Sequence, residues 1–194
     1  MSYPRLVLAS TSPYRRDLLA RLRLPFEVAA PGVDEAALAG ENARDTALRL
    51  AQAKARAVAP KFPQALVIGS DQVAALGGEH LGKPGDHDSA VAQLKAMRGR
   101  TVLFHTALAL LNSGSGALQT AEVPTEVRFR DYSDAEIERY LEIERPYDCA
   151  GSAKIEGLGI VLVERVRGDD PSALIGLPLM RLSAMLKSEG VALV

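Results

Sequence analysis

Apolar positions along the chain recur with two spacings, and the breaks between them fall at Gly, Pro and short polar residues. Residues 5–9, RLVLA, are a short continuous apolar run, the mark of a buried strand. The run breaks into STSPY, where Pro13 stands at a place that a first helical turn tolerates, and residues 14–22 continue as a short helix. FEVAA, residues 26–30, reads as a second strand, and PGVDE after it as a loop. Over residues 42–59, Ala47, Leu50, Ala51 and Val58 fall on one face, which predicts a long helix.

Residues 65–76, ALVIGSDQVAAL, predict a strand with Asp71 in its middle, and GGEHLGKPGD turns it. Residues 87–99 read as a helix closed by Gly99. The alternation of TVLFHTALALL predicts a strand, and NSGSG is a hairpin signal leading into a partner strand over 118–129. Ser133 and Glu136 have capping-box spacing at the head of a helix over 133–144. GIVLVERV, residues 159–166, predicts a strand, and residues 178–190 a last helix ended by Gly190. Helices and strands interleave around one antiparallel hairpin. The expectation is an α/β fold, a mixed central β-sheet flanked by helices, with residues 1–194 as one domain.

Composition narrows the function classes. With 47% hydrophobic and 24% charged residues among 194, the chain has the make-up of a globular protein. A net charge of −1 gives no reason to expect a nucleic-acid groove. The charge is uneven locally: five Arg against one Asp in the first 23 residues favour an anionic partner near that end. Cys149 is the only cysteine, so no internal disulfide and no cysteine zinc cluster can form. No apolar run suits a signal-peptide core or a membrane span, so a cytoplasmic protein with no membrane partner is expected.

The stretch from Gly77 begins like a P-loop, with Gly82 and Lys83 in place. Pro84, however, stands where that loop needs a magnesium-binding hydroxyl and a helix start. The P-loop reading is dropped; a polar turn remains. Three other features carry chemistry. Asp71 is a charge in an apolar strand, either satisfied by backbone donors or serving a site. Lys54 falls on the apolar face of its helix, either snorkelling from the edge of that face or pointing into a site. STSPYRR sets hydroxyls and amides between a strand and a helix N-terminus, beside Arg15 and Arg16; it is an ordinary capped helix or an anion site. Together these are groups that suit a polyphosphate with a divalent metal. His80, His87 and His105 lack zinc spacing, and Cys149 has no identified base. Asp169 and Asp170 read as a turn that can order a site rim.

The segments LVLASTSPYRRDLL, VDE, RLAQAKA, IGSDQV, GEHLGKP, YDCAGSAKIEGLG and GLPL follow one another over residues 6–179. In that order they resemble the motifs of the Maf family of nucleoside triphosphate pyrophosphatases. Tyr14 in SPYR, Gln72 in SDQ and Glu156 in IEG are departures that resemble the branch acting on 7-methyl-GTP. The resemblance implies a mixed-sheet fold related to the inosine-triphosphate pyrophosphatases, usually as a homodimer. It implies cleavage of a nucleoside triphosphate between the α and β phosphates with Mg²⁺ or Mn²⁺. It makes Asp71 the proton acceptor, and places Ser10, Arg15, Glu35, Lys54 and Lys83 at polar site positions. Tyr14, Gln72 and Glu156 fall on the positions associated with substrate choice.

On this reading Arg15, Lys54 and Lys83 balance the triphosphate, Ser10 holds a phosphate, and Glu35 and Asp71 share the metal or its water. Glu156 and Tyr14 favour the cationic ring of a 7-methylguanine, unless Glu156 pairs instead with Lys154 or a nearby Arg. Hydrolysis of dTTP, UTP or another modified nucleotide, or a non-catalytic nucleotide-binding regulator of cell division, are the alternatives.

Overall fold

The structure is a computed structural model and describes residues 4–194. Its strands are β1 (Arg5–Ala9), β2 (Glu27–Ala29), β3 (Ala65–Leu76), β4 (Glu79–Leu81), β5 (Thr101–Asn112), β6 (Leu118–Phe129) and β7 (Val163–Arg167). Its α-helices are α1 (Pro13–Ala20), α2 (Ala43–Val58), α3 (His87–Met97), α4 (Asp134–Glu144) and α5 (Leu179–Ser188). The strands form one sheet in the order β2-β1-β3-β5-β6-β7, with β4 paired to β3. β1 runs parallel to β2 and β3, and the pairs from β3 to β7 are antiparallel. The sheet is therefore mixed, as the sequence predicts.

The period of two along β3 assigns its side chains. Ala65 and Val67 pack with the small-residue face of α2, where Ala47, Ala51 and Ala55 are fully buried. Leu66 and Ile68 point the other way, into a core built with α1 and α5. Further along, Ala74 and Leu76 join a third cluster with α3 and α4. The alanines of α2 let the helix lie unusually close. A β-carbon on Gly69 would sit 2.1 Å from the Ala51 carbonyl oxygen and 2.8 Å from the Ala55 nitrogen. Only glycine fits there.

Local signals work as expected at several ends. Ser12, Asn42 and Asp86 cap their helices, and Ser133 with Glu136 forms the capping box. Gly77 and Gly78 both take positive φ, as a two-residue hairpin turn requires, so the stretch after β3 contains the short strand β4.

One expectation is corrected. The strand predicted over residues 159–166 exists only from Val163; Leu158–Leu162 is a 3₁₀ helix. The amides of Gly157 and Gly159 both donate to the Lys154 carbonyl, so the chain is still turning there. Ile160 and Val161 stay 52% and 46% exposed, with no neighbour to bury them. Pairing with β6 starts at Phe129–Val163, once the turn is complete.

Candidate active site

A gap in the sheet explains how an acid survives in mid-strand. β1 pairs with β3 only over Ala65–Ile68, and β4 pairs with it only from Ala74. Between them, residues 69–73 lack a strand on that flank. A cleft of about 620 Å³ opens at this gap, and Asp71 lines it.

Asp71 is 7% exposed and faces α2, the side that also carries Lys54. Lys54 Nζ donates to Asp71 Oδ1 at 2.6 Å and lies 2.5 Å from Glu35 Oε1. Lys54 is itself only 3% exposed, so its ammonium is sealed between two carboxylates rather than snorkelling to water. The two acids respond differently. Burial pushes Asp71 above the usual aspartate range, outweighing the lowering by Lys54 and Arg15. Burial also pushes Glu35 up, but its hydrogen bond to Lys54 and the nearby charges of Lys54, Lys83 and Arg15 win and hold it low. Glu35 has half its side chain in water, so its desolvation is smaller.

The start of α1 supplies the facing wall. Ser10 is buried and its Oγ accepts from the Ser12 amide at 3.1 Å. Arg15 turns into the cleft, and its Nε donates to the Gly176 carbonyl at 2.9 Å. Arg16 points away and meets Asp17 at the surface. Lys83 is exposed on the cleft rim, and no carboxylate of a described residue lies within ion-pair distance of it. Its loop is fixed from below: the Gly82 carbonyl accepts from the Gly151 amide and from Gln93 Nε2.

The rear wall is a turn nailed to the sheet. Ser70 Oγ donates to the Gly176 carbonyl at 2.9 Å, and Thr106 Oγ1 to the Ala173 carbonyl at 2.9 Å. Gln72 Nε2 is within 3.0 Å of both the Ala173 and Leu174 carbonyls. The amide of Gln72 thus holds the wall in place. Asp170 fixes the same segment from the other end. It is buried, and its carboxylate accepts from the Ser172 amide and hydroxyl and from the Met180 amide at the head of α5. Asp169 is exposed and takes no part.

At the other end of the cleft stand Tyr14, Asp148, Cys149 and Glu156. Lys154 does not pair with Glu156. Its Nζ binds Glu144 Oε1 at 2.6 Å and lies 5.7 Å from the centre of the Tyr14 ring. Glu156 makes no ion pair among the described residues. Burial pushes its carboxyl up, and the charges of Glu144 and Asp148 add to that. Burial and Asp148 push the Cys149 thiol up to about 12, so it stays protonated at neutral pH and is a poor nucleophile.

A profile of the Maf-like protein family matches residues 5–189. The chain belongs to the Maf family. A Thiobacillus denitrificans protein named 7-methyl-GTP pyrophosphatase is 65% identical over 188 residues, covering 97% of this chain and 94% of its own. An Aromatoleum aromaticum protein of the same name is 60% identical over 193 residues, covering all of both chains. The Ham1 protein of Staphylococcus aureus has a similar solved structure, with a TM-score of 0.56 over 95% of this chain and 99% of its own. At 15% identity that likeness speaks for the fold alone.

This Maf chain brings every residue that the resemblance places in the site to one cleft: Ser10, Tyr14, Arg15, Glu35, Lys54, Asp71, Gln72, Lys83 and Glu156 all line it, whereas Arg16, Asp169 and Asp170 do not. Sequence reasoning missed Thr46 and Asp148 and weighed His80 only as a zinc ligand; all three also line it. It missed Arg49 as well, whose guanidinium binds Glu41 at 2.7 Å and the Ala36 carbonyl at 3.0 Å, bracing the loop that carries Glu35. Arg49, His80 and Asp148 lie inside the segments RLAQAKA, GEHLGKP and YDCAGSAKIEGLG, but no local signal gives their parts; the partners of Arg49 are 8 and 13 residues distant in the chain.

The donor set suits a metal carried in with substrate. Only Glu35 and Asp71 converge, and among the described residues no group of three or more Asp, Glu, His or Cys side chains forms a metal cage. Mg²⁺ is commonly bound by one or two carboxylates with phosphate oxygens and waters completing its shell. Two acids beside a cation-lined cleft meet that need.

Proposed function

We propose that this Maf protein hydrolyses 7-methyl-GTP to 7-methyl-GMP and pyrophosphate, clearing a modified nucleotide from the pool. The observation that carries the reading is the polarity of one cleft. Arg15, Lys54 and Lys83 line the cleft with Asp71, while Glu156, in no ion pair among the described residues, lines it with Tyr14, close enough for its charge to act on that ring. The first set suits a triphosphate. The second suits a base with a positive charge on its ring, which a neutral guanine lacks. Relatives 59–65% identical that bear the name 7-methyl-GTP pyrophosphatase support it.

Asp71 accepts a proton from the water that attacks the α phosphorus. The new P–O bond forms as the bond to the bridging oxygen breaks, and that oxygen leaves with its electron pair on pyrophosphate. A carboxylate raised by burial is a stronger base than a solvated one. Lys54 favours the ionised form of Asp71 and aims its carboxylate. Arg15 and Lys83 take the phosphate charge, and Ser10 with the amides at the start of α1 holds phosphate oxygens. Glu35 and Asp71 would hold a divalent cation, Mg²⁺ or Mn²⁺, which supplies charge neutralisation for the triphosphate when bound. The proposal includes a cytoplasmic homodimer, on the family resemblance; no helix among the described residues is long and apolar enough to cross a membrane.

The test is product analysis with 7-methyl-GTP, GTP, UTP and dTTP, on wild type and Glu156→Gln. Pyrophosphate and 7-methyl-GMP, with 7-methyl-GTP preferred and the preference reduced in the variant, are the expected results. Orthophosphate release, or preference for UTP, overturns the reading. Chelator treatment and size-exclusion chromatography check the metal and the dimer.

A further inference from the structure

Behind the end of the cleft that holds Glu156 stands a charge pair the reaction does not use. Lys154 and Glu144 do not border the cleft. They touch what does: Lys154 lies over the Tyr14 ring, and Glu144 grips the turn that carries Glu156. Glu144 Oε2 accepts from the Leu158 amide at 2.8 Å while Oε1 binds Lys154 at 2.6 Å. A β-carbon at Gly157 would lie 2.7 Å from the same carboxylate, so the turn closes tightly around it.

Position makes Glu144 unusual. It is the last residue of α4, whose final turn has no basic side chain. A carboxylate there opposes the helix dipole and is disfavoured on helix grounds. Its partner is an amine placed over the Tyr14 ring, which lines the base end. Left uncompensated, that amine would draw on the electron-rich ring and repel a cationic base from the same side. Only 26% of the Lys154 side chain and 14% of the Glu144 side chain are exposed, so water screens the charge incompletely.

We propose that Glu144 is a positioning residue for substrate choice, cancelling the charge of Lys154 behind Tyr14 and fixing the 154–158 turn that presents Glu156. The inference rests on the reading that the cleft takes a base with a ring cation. It adds a residue outside the cleft to those that set the preference. Glu144 is held ionised by its Lys154 hydrogen bond and the Leu158 amide, so the compensation persists at neutral pH.

The experiment compares kcat and KM for 7-methyl-GTP and GTP, which differ by the charge on the ring. Glu144→Gln keeps the size and can still accept from Leu158, but removes the charge. The 7-methyl-GTP preference should fall about fivefold, the order expected of one partly screened charge. The change should appear in KM for 7-methyl-GTP, with kcat for GTP retained. Removing the amine as well, in Glu144→Gln/Lys154→Met, should restore the preference, and Lys154→Met alone should keep or raise it. An unchanged ratio in Glu144→Gln, or a fall in Lys154→Met, overturns the role of Glu144 and leaves the substrate intact. A wild type that does not prefer 7-methyl-GTP to GTP removes the substrate reading, and this inference with it. Should Glu144→Gln fail to fold, the Lys154→Met ratio decides.

Discussion

Lys54 on α2 donates to Asp71 on β3 across 2.6 Å, and both side chains are almost wholly buried. A lone ion in such a place is costly. Here each charge answers the other, and Glu35 closes the set from the water side. Asp71→Asn should keep the fold while reducing pyrophosphate release by at least about 10²–10⁴, the usual worth of a positioned base. A folded variant with near-normal turnover removes Asp71 from that role. Lys54→Met should lose both activity and stability. The loss of stability should be about 3 kcal/mol, near the low end for a broken buried pair, because Arg15 still acts on the carboxylate. Urea titration at neutral pH measures it.

Gly69 sets how close that helix and strand can come. Gly69→Ala drives a methyl into the Ala51 carbonyl, which cannot rotate away. The expected cost is about 3 kcal/mol, at the upper part of the range for overpacking. Turnover should fall too, since the shift moves Lys54 relative to Asp71. A variant as stable as wild type by thermal melting contradicts the close approach.

The Glu41–Arg49 pair gives a pH signature. Hydrogen bonds from Arg49, with those from the Leu38 amide and Thr46, hold the Glu41 carboxyl down to about 2. Its folded pKa lies below the unfolded value of about 4.3, so its stabilisation is present above the unfolded value. It is lost as pH falls toward about 2. Unfolding midpoints measured from about pH 5 to about pH 2 should drop less steeply in Glu41→Gln. Identical slopes in the two proteins would show that the pair does not contribute.

Asp170 serves as an anchor. Asp170→Ala strips acceptors from the Ser172 amide and hydroxyl and the Met180 amide. About 2 kcal/mol of stability should go, from lost capping and orphaned donors. KM should rise more than kcat falls, because the rear wall loosens while Asp71 stays in place.

Much of this was readable in one dimension. The apolar face of residues 42–59, the capping box at Ser133 and the acid at Asp71 are local signals, and each appears where expected. What escaped depends on partners far along the chain. GIVLV has a strand's composition, yet its first half turns, because ties from α4 to residues 154–158 delay its arrival at β6. Gln72 is a residue of substrate choice by resemblance, but its amide is bonded to the 173–174 carbonyls, contacts about a hundred residues distant. Lys54 could be placed on its apolar face but not shown to be buried, since the acids that hold it come from two other segments.

Successive residues of β3 serve opposite sides of the sheet: Ser70 and Gln72 grip the rear turn, and Asp71 between them meets α2. Their order is consequently a matter of parity. Deleting one residue upstream within the strand would swing the carboxylate round to confront two backbone carbonyls, present an amide to Lys54 instead, and force a serine into the place that only glycine fits. Hydrolysis and architecture are interlocked tooth by tooth along this strand, so drift in its length is barred even where drift in its side chains is tolerated.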